Sequence, residues 1–232
     1  MTNILLTGSS RGIGAAIFAA LDKPGITLVG HGTRSGIPAD FDEPGAPAAW
    51  WQAALDQVGG TVDVLINNAG IFEANPLDGE ADDWLAGWER TMRVNLTASA
   101  ELCRLAVLHW QERGVGGRIV NVASRAAYRG DSPAHWHYAA SKAGMVAMTK
   151  TIARGYAAQG ILAFAICPGF TMTGMAEEYL SSRGGDKLLA DIPLGRVAMP
   201  AEVAEVARFL ALEAPPSMTG SVIDVNGASY VR

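Results

Sequence analysis

The chain has 232 residues, a formal net charge of −5, 49% hydrophobic residues and 18% charged ones, which is enough apolar material for one good-sized core in a single domain spanning 1–232. Its lysines and arginines are scattered along the chain, so the basic footprint of a nucleic-acid binder is missing. Two cysteines, Cys103 and Cys167, are too few for a disulfide scaffold and lack metal-site spacing; both are expected as buried thiols in a reducing compartment.

The N-terminus enters a strand almost at once, without a charged leader or a long apolar segment, so no membrane span is expected and a cytoplasmic location follows. Short apolar runs of β character at 4–7, 26–30, 62–67, 118–122, 161–167 and 222–225 alternate with helical patterns, the longest at 81–111 and 137–159. The alternation predicts an α/β fold of the Rossmann type, a single-domain, doubly wound parallel β-sheet with helices on both faces. One interval breaks the rhythm. Only a few residues, among them Gly32, Gly36 and Pro38, precede a candidate strand at 37–41, fewer than the roughly dozen of a parallel crossover, and a truncated connection is expected there.

Directly after the first run comes Thr7-Gly8-Ser9-Ser10-Arg11-Gly12-Ile13-Gly14, then a run of helix formers. Glycines at 8, 12 and 14 suit a tight turn, a close backbone approach to a pyrophosphate, and helix-on-strand packing, with the helix N-terminus facing the negative charge. A loop that merely permits a sharp turn is the plainer alternative. The second run ends in Gly30-His31-Gly32-Thr33-Arg34. No carboxylate is there to hold ribose hydroxyls, while Arg34 and Arg11 can pair with a 2′-phosphate, so NADP(H) is favoured and NAD(H) is the alternative, with His31 and Thr33 then meeting an unphosphorylated ribose. Asp40 either accepts from an adenine amino group or belongs to an exposed acidic loop.

Tyr138 and Lys142 stand at i, i+4 on one helical face, where an ammonium lowers a phenol from its usual pKa of about 10. Ser124 follows the run at 118–122, where the carboxyl end of a parallel strand delivers side chains into the crevice, and it can hold a carbonyl or alkoxide oxygen beside Tyr138.

The glycine turn, Asn67-Asn68-Ala69-Gly70, Asn95 within Val94-Asn95-Leu96, Ser124, the Tyr138/Lys142 pair and Pro168-Gly169 resemble, in order and spacing over nearly the whole chain, the short-chain dehydrogenase/reductase family. Pro168-Gly169-Phe170-Thr171-Met172-Thr173, Ile192-Pro193-Leu194-Gly195-Arg196 and Thr219-Gly220 look most like its 3-oxoacyl-(acyl-carrier-protein) reductases. The resemblance implies NADPH-dependent reduction of a 3-oxoacyl thioester or similar ketone. Tyr138 would be the acid, Lys142 would bind the nicotinamide ribose, Ser124 would place the substrate oxygen, and Asn95 would hold a water relaying protons through Lys142. Asn68, Ala69 and Gly70 would line the adenosine and ribose path, and Pro168, Gly169, Thr171 and Thr173 the nicotinamide and phosphates. A homotetramer assembled through the long helices and the last strand is also implied. The competing readings are NAD-dependent oxidation of a secondary alcohol or sugar, and a dinucleotide sensor without turnover.

Arg125, Tyr128, Arg129, His135 and Trp136 border the substrate mouth and either recognise a polar or acidic substrate or form a solvated loop. His135 and His137 lack a third ligand at metal spacing. An acyl carrier protein is acidic; Arg113 and Arg118 suit it, whereas Gln159 stands where carrier-protein reductases often have a basic residue. Residues 172–191 read as a helical lid, the C-terminal Asn226-Gly227-Ala228 departs from the double glycine of relatives, and Trp84, Trp88 and Trp110 read as packing residues.

Overall fold

The computed structural model describes residues 1–173 and 189–232. Seven strands form one sheet: β1 (Thr2–Leu6), β2 (Ile26–Gly32), β3 (Ile37–Pro38), β4 (Val64–Asn67), β5 (Gly117–Val122), β6 (Ile161–Pro168) and β7 (Val222–Val225). Their order is β3-β2-β1-β4-β5-β6-β7 and every pairing is parallel. The order reverses direction beside β1, and that switch point opens a crevice at the carboxyl ends of β1 and β4.

Side chains alternate across the pleat, so β1 serves two cores. Leu5, with Val29, Leu65 and Ile119, faces Trp50 and Trp51 of α2 (Ala46–Gln57), Leu102 and Trp110 of α4 (Ala98–Arg113), and Ile152 of α6 (Trp136–Tyr156). Ile4 and Leu6, with Val64, Ile66, Val120 and Val122, face Ile17 and Leu21 of α1 (Gly12–Leu21) and Val203, Ala207 and Leu210 of α7 (Pro200–Leu212). Helices therefore cover both faces. Trp110 is fully buried and donates to the Val62 carbonyl at 2.7 Å; a Cβ on Gly117 would lie 2.0 Å from its ring, which is why that strand begins on glycine.

Three elements differ from the sequence expectation. The long helical pattern at 81–111 is broken into α3 (Ala81–Met92), a π-helical turn at Arg93–Thr97, and α4. The strand at 37–41 contracts to Ile37–Pro38, held to β2 by two register pairs, with Thr33 to Gly36 exposed before it. α2 was not anticipated; its signal is the apolar Trp50-Trp51 pair behind Pro47 in the first helical turn. A short helix α5 (Ala126–Arg129) links β5 to α6.

Candidate active site

The first wall of the crevice is the turn between β1 and α1. α1 has no side-chain cap, so the amides of Gly12, Ile13 and Gly14 lack intrahelical acceptors, and they have none elsewhere among the described residues. Gly8 (φ 65°) and Gly12 (φ 53°) take left-handed conformations. A Cβ on Gly14 would lie 1.9 Å from the Gly8 carbonyl oxygen, and one on Gly12 would lie 3.0 Å from the Thr173 methyl across the turn. A glycine-lined helix N-terminus with free amides fits a dinucleotide pyrophosphate. Ser10 and Arg11 are exposed at its rim.

Asn68 and Thr7 tie this turn to the loop after β4. The Asn68 side-chain amide donates to the carbonyls of Thr7 (3.2 Å) and Gly8 (2.9 Å), while the Thr7 hydroxyl accepts from the backbone amides of Asn68 (2.9 Å) and Ala69 (3.0 Å). His31 turns inward. Its ring stacks on Phe41 at 4.0 Å, Nδ1 accepts from the Gly8 amide at 3.1 Å, and Nε2 donates to the Ala39 carbonyl at 3.0 Å. Both nitrogens are engaged in the neutral Nε2–H tautomer, so the ring braces the glycine turn and leaves no nitrogen for a ribose. Arg34 and Arg11 remain exposed with no ion pair among the described residues. Asp40 is exposed and accepts from the Asp42 amide at 3.0 Å, stapling its own turn. Where β3 is cut short, Ser9, Ser10, Gly30, Ser35 and Gly36 line part of a cleft of about 420 Å³.

Ser124 stands just past β5, its hydroxyl accepting from the Ala126 amide at 3.1 Å. It is within hydrogen-bonding reach of Tyr138 in the first turn of α6. One turn on, the buried Lys142 Nζ lies 5.8 Å from the Tyr138 ring centroid and donates to the Val122 carbonyl at 3.0 Å. Burial pushes the Tyr138 phenol up to about 12, against the pull of Ser124, and brings Lys142 down to about 8. The expected lowering of the phenol by the lysine is thus reversed in sign: desolvation outweighs an ammonium whose hydrogen bond goes to the strand. A phenol held protonated at neutral pH can donate a proton.

Asn95 lies in the π-helical turn, fully buried. Its carboxamide accepts from the Ile71 amide (2.8 Å) and donates to the Ile71 carbonyl (3.0 Å) and the Ser141 hydroxyl (3.3 Å). The side chain thereby clamps the loop that carries Asn68, Ala69 and Gly70. A Cβ on Gly70 would sit 3.3 Å from Asn95 Oδ1 and 3.5 Å from Lys142 Nζ, so glycine permits that close approach. At the end of β6, the Pro168 carbonyl accepts from the Arg125 amide, Gly169 donates to the Val225 carbonyl, and the buried Thr171 donates to the Gly169 carbonyl at 3.1 Å.

Phe72 meets Tyr138 edge-on at 4.8 Å and stacks on His135 at 3.9 Å; Trp88 pairs with Trp84 and lies 6.5 Å from His137. Trp136 is exposed. Among the described residues no cluster of three His, Cys, Asp or Glu side chains is placed to hold a metal. Arg118 is engaged internally, donating to the Leu210 and Ala214 carbonyls at the end of α7, which removes it from a docking role; Arg113 donates to the Gly60 carbonyl on the surface. Most of the expected lid lies outside the described residues.

Sequence reasoning missed Thr7 and the buried ladder in which Asn67 donates to Asn121 (2.9 Å), Asn121 to Thr149 (2.8 Å), and Thr149 to the Met145 carbonyl (2.8 Å). The ladder pins α6, bearing Tyr138 and Lys142, to β4 and β5. Its signal was polar residues inside apolar strand runs, where a buried amide requires a partner.

Residues 27–228 match the family model described as Enoyl-(Acyl carrier protein) reductase. The chain is 34% identical to a 3-oxoacyl-(acyl-carrier-protein) reductase of Vibrio cholerae, over 98% of this chain and 96% of the relative. It is 34% identical to an acetoacetyl-CoA reductase of Rhizobium meliloti, with 97% of each covered. A solved Agrobacterium tumefaciens chain with bound NADP, carrying the provisional name 2-deoxy-d-gluconate 3-dehydrogenase, superposes with a TM-score of 0.87 at 29% identity, over 100% of this chain and 97% of that one. With the glycine turn, the Ser124, Tyr138 and Lys142 cluster and the parallel sheet in one crevice, the chain belongs to the short-chain dehydrogenase/reductase family of oxidoreductases.

Proposed function

We propose that the chain reduces a ketone, a 3-oxoacyl thioester or similar carbonyl, to a secondary alcohol with NADP(H). One observation carries the reading: Ser124 within reach of a phenol held protonated, with the buried Lys142 ammonium one helical turn away. When bound, the reduced nicotinamide supplies the hydride. Ser124 holds the carbonyl oxygen, and Tyr138 gives its proton to that oxygen as charge develops on it. Lys142 holds the nicotinamide ribose and places positive charge near the phenolate that Tyr138 becomes. Asn95 keeps the Ile71 loop in register beside Lys142, and a relay water would meet its backbone carbonyl alongside the Ser99 hydroxyl, which donates to it at 3.3 Å. The free amides of α1 hold the pyrophosphate, Asn68, Ala69 and Gly70 border the adenosine side, and Pro168, Gly169, Thr171 and Thr173 border the nicotinamide and phosphates.

NADP(H) is supported by the absence of a carboxylate at the end of β2 and by the exposed Arg34 and Arg11, and NADP is bound in the Agrobacterium tumefaciens neighbour. The ketone reading is supported by the names of the reductase relatives. That neighbour's dehydrogenase name favours a second reading, oxidation of a sugar-type alcohol. We take the working protein to be a cytoplasmic homotetramer; no described helix is long and apolar enough to cross a membrane, and light scattering on the purified protein reads the subunit number.

The deciding experiment follows NADPH and NADH consumption over acetoacetyl thioesters, simple ketones and keto sugars, with alcohols and NAD(P) in the reverse direction. NADPH-dependent ketone turnover supports the reading. Turnover confined to NAD and sugar alcohols moves it to the second, and dinucleotide binding without turnover makes the protein a sensor.

A further inference from the structure

Arg125 directly follows Ser124, and the reduction chemistry makes no use of it. Its side chain is 13% exposed, and the carboxylate facing it, Asp191, is 3.8 Å from Nη1, beyond hydrogen-bonding distance. That Nη1 is buried with no hydrogen-bond partner. Asp191 is instead held by Arg129 at 2.6 Å. Two guanidiniums thus share the Asp191 carboxylate, and Asp131 is the further acid that acts on Arg125. Lys142, the cation beside Tyr138, has its hydrogen bond to Val122, and the ring packed edge-on against the phenol is Phe72, itself stacked on His135. Burial, first, and the neighbouring Arg129 charge disfavour the charged form of Arg125 and outweigh the pull of Asp191 and Asp131.

A buried guanidinium with an unfilled N–H is destabilising unless an anion completes it. The Arg125 amide donates to the Pro168 carbonyl at 2.9 Å, which fixes the residue between the serine that holds the reacting oxygen and the end of β6. Asp191 and Arg129 already show the group this cluster accepts, a carboxylate oxygen on a guanidinium N–H. We propose that Arg125, backed by Arg129 and Asp191, is an anion subsite of the substrate pocket, and that the substrate is a keto acid with its carboxylate a few bonds from the reacting carbonyl. The assignment rests on the ketone-reductase reading of the same site and narrows it.

The test compares a hydroxy acid with its amide. In the NADP-loaded protein, calorimetric titration reads the affinity of 3-hydroxybutyrate and 3-hydroxybutyramide, and kinetics read acetoacetate against acetoacetamide. One charge-assisted hydrogen bond predicts that the wild type favours the acid by about tenfold or more. Arg125→Gln brings the ratio to about one, and Arg125→Lys keeps part of it. Asp191→Asn tightens the acid, because a competing carboxylate is gone; a purely structural pair would weaken it, so this variant decides the matter even if Arg125→Gln fails to fold. Equal binding of acid and amide in the wild type, or a ratio that survives Arg125→Gln, overturns the subsite. Inorganic phosphate displacing the hydroxy acid at equal concentration overturns the carboxylate assignment. Ketone turnover without acid preference removes the subsite and leaves the reductase; Arg125-dependent acid binding without any ketone turnover does the reverse.

Discussion

The Lys142 ammonium donates to the Val122 carbonyl at 3.0 Å, so the strand that presents Ser124 also anchors the cation beside Tyr138. Burial brings that lysine from 10.5 to about 8. Between these values the unfolded chain binds the proton and the folded one does not, so this group makes folding stability rise with pH from about 8 to 10.5. Lys142→Met removes the effect. The variant's melting temperature relative to wild type should be highest at pH 7 and fall through that window, by at most ~3 kcal/mol in stability. A difference that stays flat with pH would place the lysine in a solvated setting.

Tyr138→Phe keeps the ring that Phe72 meets edge-on and deletes only the hydroxyl. Turnover should drop by about 10²–10⁴-fold, the range for loss of a general acid, with NADPH affinity within a few-fold of wild type. Fluorescence titration of the cofactor checks the second half; activity near wild type would remove Tyr138 from the proton step.

His31 is held neutral between Gly8 and Ala39, and burial lowers its pKa from 6.5. A histidine with a depressed folded pKa contributes stability that is present above 6.5 and is lost as pH falls toward the folded value. Protonating Nδ1 also removes the acceptor for the Gly8 amide. Melting temperature and dinucleotide affinity should therefore both decline below pH 6.5, and His31→Gln should flatten the decline. An unchanged slope in the variant would assign the acid sensitivity to the other histidines.

Arg34 is exposed at the end of β2 without an ion pair among the described residues. Arg34→Ala should weaken NADPH by about 10- to 100-fold, the worth of a charged hydrogen bond, and leave NADH nearly as it was. Equal losses for the two dinucleotides would show that the guanidinium does not meet the 2′-phosphate.

Ala228, next to Gly227 near the C-terminus, sits at φ 62°. The left-handed region costs an L residue about 1–2 kcal/mol, partly offset by the greater freedom glycine has in the unfolded chain. Ala228→Gly should raise stability by about 0.5–1 kcal/mol by those same figures, read from denaturant unfolding.

The parallel sheet and the glycine turn were legible because both rest on local rules: apolar runs at strand length, and glycines at fixed offsets where a helix starts. The break at Arg93–Thr97 was not. Apolar spacing continues from Trp88 through Leu102, and the π-helical turn answers a demand from outside the helix, the Ile71 backbone that Asn95 clamps. His31 misled for a related reason. A histidine at a strand end reads as a ligand until Phe41, ten residues on, is seen to cover its ring. Arg118 looked like surface charge, yet the carbonyls it caps belong to a helix about ninety residues away. The rise of the Tyr138 pKa likewise depends on enclosure by elements that i, i+4 spacing cannot report.

The contracted β3 has a practical consequence. Thr33 to Gly36 are exposed, and the strand after them is held by two register pairs, so the segment beside the proposed cofactor phosphate lies outside both cores. Thr33 to Ser35 should be exchangeable as a cassette, with Gly36 kept because an added Cβ there would lie 2.2 Å from the Gly30 carbonyl oxygen: segments of different charge grafted there are expected to retune the choice between the two dinucleotides while the sheet, the serine and the tyrosine stay where they are.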